Sequence, residues 1–328
     1  MRQMTALLAA VAVALSATPA TASAASPERE IATGLTHPWA IGFLPDGSAL
    51  FTERDSARIM SVRGGVVREV QKITEAKPNG VQSGLLGIAV SPKYAVDRTV
   101  FIYYSTETDN RIARLKLGQP PQPIVTGIPL GQRRVGGRLA FGPDGHLYAT
   151  TGDAMRPELA QDPNSLGGKV LRMDRNGKPV RGKSLVYSLG HRDPQGITWD
   201  SGKRLYVSES GESTWDELNL VEQGRNHGWP ICEGKCGKPG FVDPIVQWHT
   251  EEATPSDLGY ARGHLYMAAN LGKRLWKIPV RDGKPGTPEA LFVGTYGKLR
   301  AVEPARDGSI WISSTNGAGT DKIVSFTP

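Results

Sequence analysis

Apolar and polar positions alternate along this chain in short runs, and the runs come in pairs. AIGFLPDGSALFTER (40–54), LGIAVSPKYAVDRTVFIYYS (86–105), LAFGPDGHLYATTGD (139–153), GITWDSGKRLYVSES (196–210), LGYARGHLYMAANL (258–271) and LRAVEPARDGSIWISST (299–315) each read as strand, tight turn, strand. Period-two alternation predicts half-buried strands, and Asp-Gly between two such runs marks a hairpin because its turn needs positive φ. The turn centres at Gly47, Val96, Gly145, Gly202, Gly263 and Gly308 lie 45 to 61 residues apart. Six strand-rich units at that spacing predict an all-β fold, a six-bladed β-propeller, in which no blade can bury its faces alone. Strand-like ends at 28–32 and 322–326 are expected to share one blade and close the ring. Trp215 to Glu222 reads as a short helical turn within a polar loop.

Composition refines this picture at three places. The first 24 residues read as a secretory signal peptide: Arg2 is the only charge, Ala6 to Leu15 is apolar, and Ala22-Ser23-Ala24 is a small-residue cleavage site. Residues 25–328 then form one propeller domain, secreted or held in the cell envelope, and no later stretch is apolar enough to span a membrane. The net charge is +7, but the Lys and Arg residues are dispersed with no basic block, which argues against nucleic acid as a partner. Two cysteines, Cys232 and Cys236, sit four apart in a Gly/Pro-rich loop. In an exported chain the pair reads as a local disulfide; the alternative is a zinc site shared with His227 and His249.

Familiar catalytic words are missing. There is no HExxH, GxSxG or GxGxxG, and Gly167-Gly168-Lys169 is followed by Val170 where a P-loop needs Ser or Thr. The chemistry-bearing residues concentrate instead in 186–230, which holds His191-Arg192-Asp193-Pro194-Gln195-Gly196 and then Glu209, Glu212, Asp216, Glu217 and Asn219. A cation beside acidic and amide groups can hold an anionic or hydroxyl-rich ligand.

This stretch resembles the soluble quinone-dependent glucose/sorbosone dehydrogenase family, which includes the aldose sugar dehydrogenases. The resemblance rests on GHRDPQG (190–196), ESGESTWDELNL (209–220) and GRNHGWP (224–230). It continues through HPWAIGFLPDG (37–47), GLLGIAVSPKY (84–94), GGRLAFGPDGHLYATTGD (136–153), SLGGKVLRMDRNG (165–177) and YGKLRAVEPARDGSIWISS (296–314). It implies oxidation of an aldose at its anomeric carbon, with pyrroloquinoline quinone (PQQ) and calcium as cofactors and a small sugar as substrate. Nothing in the residues selects an electron acceptor.

Carried over by motif, Gln82, Arg192, Asp216, Lys298 and Arg300 fall at positions that face the quinone. Gly211 and Glu212 match the carbonyls that hold its calcium. Glu217 and the carbonyl of His227 match a second, structural calcium site. Oxygen donors suit that hard ion.

The chain departs from the family where the chemistry is most demanding. Arg134 stands at the position of the general-base histidine, and a guanidinium does not give up its proton in a protein. Arg133 replaces an acid, Asp193 an asparagine and Ser210 an amide or histidine; Leu271 takes the place of a cation, with Lys273 nearby. His191 reads as a buried orienting residue. His146 and His264 fall in hairpin turns, and the tryptophans read mainly as packing between blades. An active but impaired dehydrogenase is one expectation. A propeller that has lost turnover and binds a saccharide or another ligand is the alternative, and a calcium-dependent lactonase ranks third because only the 209–217 loop supplies carboxylates.

Overall fold

The computed structural model describes residues 28–328, so the leader read at 1–24 lies outside the described residues. Six antiparallel sheets are arranged in sequence. The first blade runs Pro38–Phe43, Ala49–Glu53, Arg58–Arg63 and Val66–Lys72 from the axis outward, and the second begins at Leu85–Val90. The third, fourth, fifth and sixth blades begin at Leu139–Phe141, Pro194–Trp199, Pro255–Ala261 and Leu299–Pro304. The innermost strands pack around the whole ring, the sixth blade against the first. Closure is as the chain ends suggest: Arg29–Leu35 pairs antiparallel with Asp321–Phe326 as the outer strand of the sixth blade, with Glu30 opposite Val324.

The core lies between blades rather than at one centre. Trp39, Leu86, Phe101, Tyr103 and Leu139 belong to one buried cluster spanning the first three blades. Smaller clusters join the third blade to the fourth, the fourth to the fifth, the fifth to the sixth and the sixth to the first. Aromatic residues on second and third strands fill these seams, as in the edge-to-face contact of Tyr148 with Trp199 at 5.0 Å.

One expectation needs correction. Trp215–Val221 is not a helical turn but the third strand of the fourth blade, paired with Leu205–Glu209 and with Val246–His249. In WDELNLV the fully apolar run is too broken to read as a strand, because Asp216, Glu217 and Asn219 point polar groups inward. All three are buried, which is unusual for such side chains and directs attention to what they hold.

The axial channel has two mouths of opposite character. Where the inner strands end, a cavity of about 340 Å³ is lined by Phe43, Phe141, Trp199 and Pro304, with Glu303 in its wall. Burial, then the charge of Asp257, pushes the Glu303 carboxyl up to about 8. The folded state therefore favours its protonated form. That contribution is complete below the ordinary carboxylate range and is lost as pH rises through about 8. Glu303→Gln is expected to melt close to wild type at pH 5 and above it at pH 8.5; an equal offset at both pH values would contradict the assignment.

Candidate functional site

The other mouth, where inner strands begin and second strands end, collects the loops singled out in the sequence. A cavity of about 560 Å³ opens here. Its lining includes His37, Arg54, Gln82, Arg133, Lys298 and Arg300, and no Asp or Glu. Ser210 and Leu271 also line it.

Arg300 forms the floor. It is 5% exposed and lies over the Trp39 ring. One terminal nitrogen donates to Gln195 Oε1 at 2.7 Å, while its Nε has no partner. Burial, with Arg138 and Arg54 nearby, pulls its pKa down, so the charge lacks adequate compensation. Lys298 lines the same cavity from the residue just before that strand. Gln82 is anchored from below: its amide nitrogen lies 3.3 Å from Asp193 Oδ2, and its carbonyl oxygen accepts from the backbone N–H of Arg134.

Asp193 stands where the resemblance places an asparagine. It is 2% exposed and works beneath the cavity, accepting from Gly136 N at 3.1 Å and Gln195 Nε2 at 2.7 Å.

Arg134 takes a left-handed backbone conformation, φ 60°. Its guanidinium is committed to Glu212, with an N–O separation of 2.7 Å, and lies 3.8 Å from Asp153. Arg192 reaches the same Glu212 carboxylate from the other side, donating from Nε at 2.8 Å. Two guanidinium groups thus clamp one carboxylate and, despite the cost of partial burial, hold it below its ordinary pKa.

Arg192 also donates to the carbonyls of Ser210, at 3.0 Å, and Gly211. These carbonyl oxygens converge on a positive charge, the donor chemistry that a hard cation requires. No side chain fits at Gly211, where a Cβ would lie 1.8 Å from Trp215 O.

Beneath this loop is a buried polar cluster. Ser188 Oγ and His191 Nε2 are 2.8 Å apart, and His191 Nδ1 is 2.8 Å from Glu209 Oε2. Burial, and behind it the Lys169 charge, pull His191 down to about 3, so the ring is neutral. It is a buried orienting residue, as expected, and fixes the carboxylate that accepts from the backbone N–H of Arg192. Asp216 does not line the cavity; it accepts from the amides of Gly211 at 2.9 Å and Thr254 at 2.5 Å.

Glu217 accepts from Gly234 N at 2.7 Å and Asn219 Nδ2 at 3.0 Å. Its pKa is raised, first by burial and then by the charge of Glu209. Asn219 Oδ1 and both ring nitrogens of His227 are buried without partners. His227 stacks on His191 with ring centroids 4.6 Å apart. An unpartnered amide oxygen beside a buried carboxylate fits a structural cation. Among the described residues, no three His, Cys, Asp or Glu side chains form a metal cluster of their own, so such an ion would also draw on backbone carbonyls.

The cysteines form a disulfide, which overturns the zinc alternative. Inside that small loop sits Glu233, which the sequence reading passed over. Its Oε1 accepts from the amides of Glu212, Ser213, Thr214 and Trp215 at 2.8 to 3.0 Å. A run of adjacent amides on one oxygen is a nest closed by a carboxylate.

His37 was also passed over, although HPW was among the family words. Of the described residues lining the cavity it is the one histidine, and its Nδ1 is 2.6 Å from Asp55 Oδ2.

A ring of six blades, a basic axial cavity and a carbonyl-lined loop can now be compared with known proteins. The family model for glucose/sorbosone dehydrogenases matches residues 35–324. The chain belongs to that family. The PQQ-bound aldose sugar dehydrogenase of Streptomyces coelicolor superposes with a TM-score of 0.89 at 42% identity, over 93% of this chain and 99% of that one. The aldose sugar dehydrogenase YliI of Escherichia coli is 29% identical over 321 residues, 88% of this chain and 80% of its own. Quinoprotein glucose dehydrogenase B of Acinetobacter calcoaceticus is 29% identical over 315 residues, 81% of this chain. The match spans 62% of that longer protein. In this member of the glucose/sorbosone dehydrogenase family, Arg134 and Arg192 both pair with Glu212.

Proposed function

We propose that this chain is an exported, PQQ-dependent aldose dehydrogenase whose turnover of neutral sugars is slow. The observation that carries the reading is the basic axial cavity, whose lining holds Lys298 and Arg300 and no carboxylate. A polycarboxylate quinone is the ligand chemistry that such a wall selects. Bound there, the quinone would supply a two-electron acceptor for the hydride of the sugar's anomeric carbon. Lys298 and Arg300 would hold its carboxylates, and Gln82 and Arg192 its flank. The carbonyls of Gly211 and Glu212 would take calcium as Arg192 shifts its hydrogen bonds. Gln82 is held rigid by Asp193 and by the Arg134 amide, so it can orient the reacting hydroxyl without rearrangement.

Proton removal is the weak point. The group at the family's base position is a guanidinium locked to Glu212, and a missing general base costs about 10²–10⁴ in rate. A cavity-lining histidine remains in His37, whose Nδ1 is 2.6 Å from Asp55 Oδ2.

The test is reconstitution with PQQ and calcium, following quinone absorbance and then reduction of an artificial dye with a panel of aldoses. Quinone binding with slow but measurable aldose oxidation is expected. No spectral change on adding the quinone would remove the reading and favour a propeller that only binds a saccharide.

A further inference from the structure

We infer that the substrate is an acidic aldose, a sugar of the uronate type, with its carboxylate on Arg133. The inference rests on the dehydrogenase reading for what occupies the rest of the cavity, and on charge placement for everything else.

Four cations line the cavity, but they are not equivalent. Arg54 is neutralised by Asp55, with a terminal nitrogen 2.9 Å from Oδ2, and also donates to Val81 O at 2.6 Å. Arg300 is buried on the floor with an unpartnered Nε, and Lys298 lies two residues before it. These two enter the cavity from the sixth blade. Arg133 enters from the loop before the third. In a ring of six, the third and sixth blades are diametrically opposed. A quinone whose carboxylates are taken by Lys298 and Arg300 therefore leaves Arg133 unused on the far wall.

Nothing in the protein uses Arg133 either. Among the described residues its side chain has no salt bridge and no hydrogen bond, whereas its neighbour Arg134 is consumed by Glu212. Arg133 is exposed at the rim, where a ligand enters. The lining on this side holds no acid that a free guanidinium would have to be drawn from. A planar guanidinium facing an open cavity matches a carboxylate bidentately, and it adds little for a neutral hydroxyl. Of the aldoses, a uronate presents such a carboxylate at one end of the ring and a free anomeric centre at the other.

The experiment uses the full mature chain with calcium, with and without PQQ. Quinone binding is scored by absorbance. Glucuronate and galacturonate are then compared with glucose and galactose by titration calorimetry, at low and high salt. The uronates are expected to bind at least tenfold more tightly than the matching neutral sugars, with the advantage shrinking as salt rises. Arg133→Gln should bring that ratio close to one, Arg133→Lys should restore part of it, and neither should alter quinone absorbance. Equal affinity for uronates and neutral sugars, no binding of either, or a preference that survives Arg133→Gln would each overturn the inference. A uronate preference lost in Arg133→Gln but present in protein that never binds quinone would instead sustain it and sink the dehydrogenase reading.

Discussion

Arg134→His is expected to raise oxidation of neutral aldoses at least tenfold. The substitution is local and conformationally permitted. Residue 134 has φ 60°, a region that histidine enters more readily than most non-glycine residues. Its backbone N–H continues to bind Gln82 whatever the side chain. Glu212 loses one guanidinium but keeps Arg192, and because that carboxylate is 42% exposed the lost pair contributes little to stability. An imidazole there supplies the proton acceptor that the guanidinium denies. Dye reduction by quinone-loaded protein, wild type against variant, measures it, with quinone absorbance confirming equal loading. Equal rates would mean that Arg134 is not at the proton-transfer position. His37 would then carry that step, and His37→Gln would abolish turnover.

Calcium is expected to raise the melting temperature, and Glu217→Ala to remove most of the rise. Glu217 and Glu209 are buried opposite each other on adjacent strands of the fourth blade. Their charges disfavour one another, and the Asn219 and His227 atoms beside them lack partners. A divalent ion bound there would offset the repulsion and take the Asn219 oxygen. At about one hundred times its dissociation constant, a ligand specific to the folded state contributes about 2.7 kcal/mol, a shift of about 5 °C for a chain of this size. The measurement is a melt in calcium against chelator for both proteins. A melting temperature indifferent to calcium, or a shift that survives in Glu217→Ala, would contradict the site.

The hairpin repeat made the ring legible, because turn chemistry and period-two alternation are local signals. The 215–222 segment misled because inward-facing Asp216, Glu217 and Asn219 break the apolar pattern for the sake of the loop above them. Local rules fail most often where polar groups are buried for function. The cavity residues Gln82, Lys298 and Arg300 could be placed through family words, and all three line one cavity. The partnerships were not legible: that Arg134 and Arg192 share Glu212, or that Asp193 is bonded to Gln82 and Gly136, depends on blades brought together from distant parts of the chain. Glu233 lies in a loop rich in glycine and proline, where position in the sequence says nothing of the four amides it gathers.

The Cys232–Cys236 bridge closes so short a loop that it removes little freedom from the unfolded chain. Its effect is felt elsewhere. It flanks Glu233, whose carboxylate gathers the amides of residues 212–215, next to the Ser210 and Gly211 carbonyls that accept from Arg192. Opening the bridge is expected to leave the propeller intact and to loosen that turn. Apparent affinity for a ligand falls in proportion to the fraction of molecules in the competent shape. The Cys232–Cys236 bridge is therefore expected to matter more for ligand affinity than for the melting point of the ring.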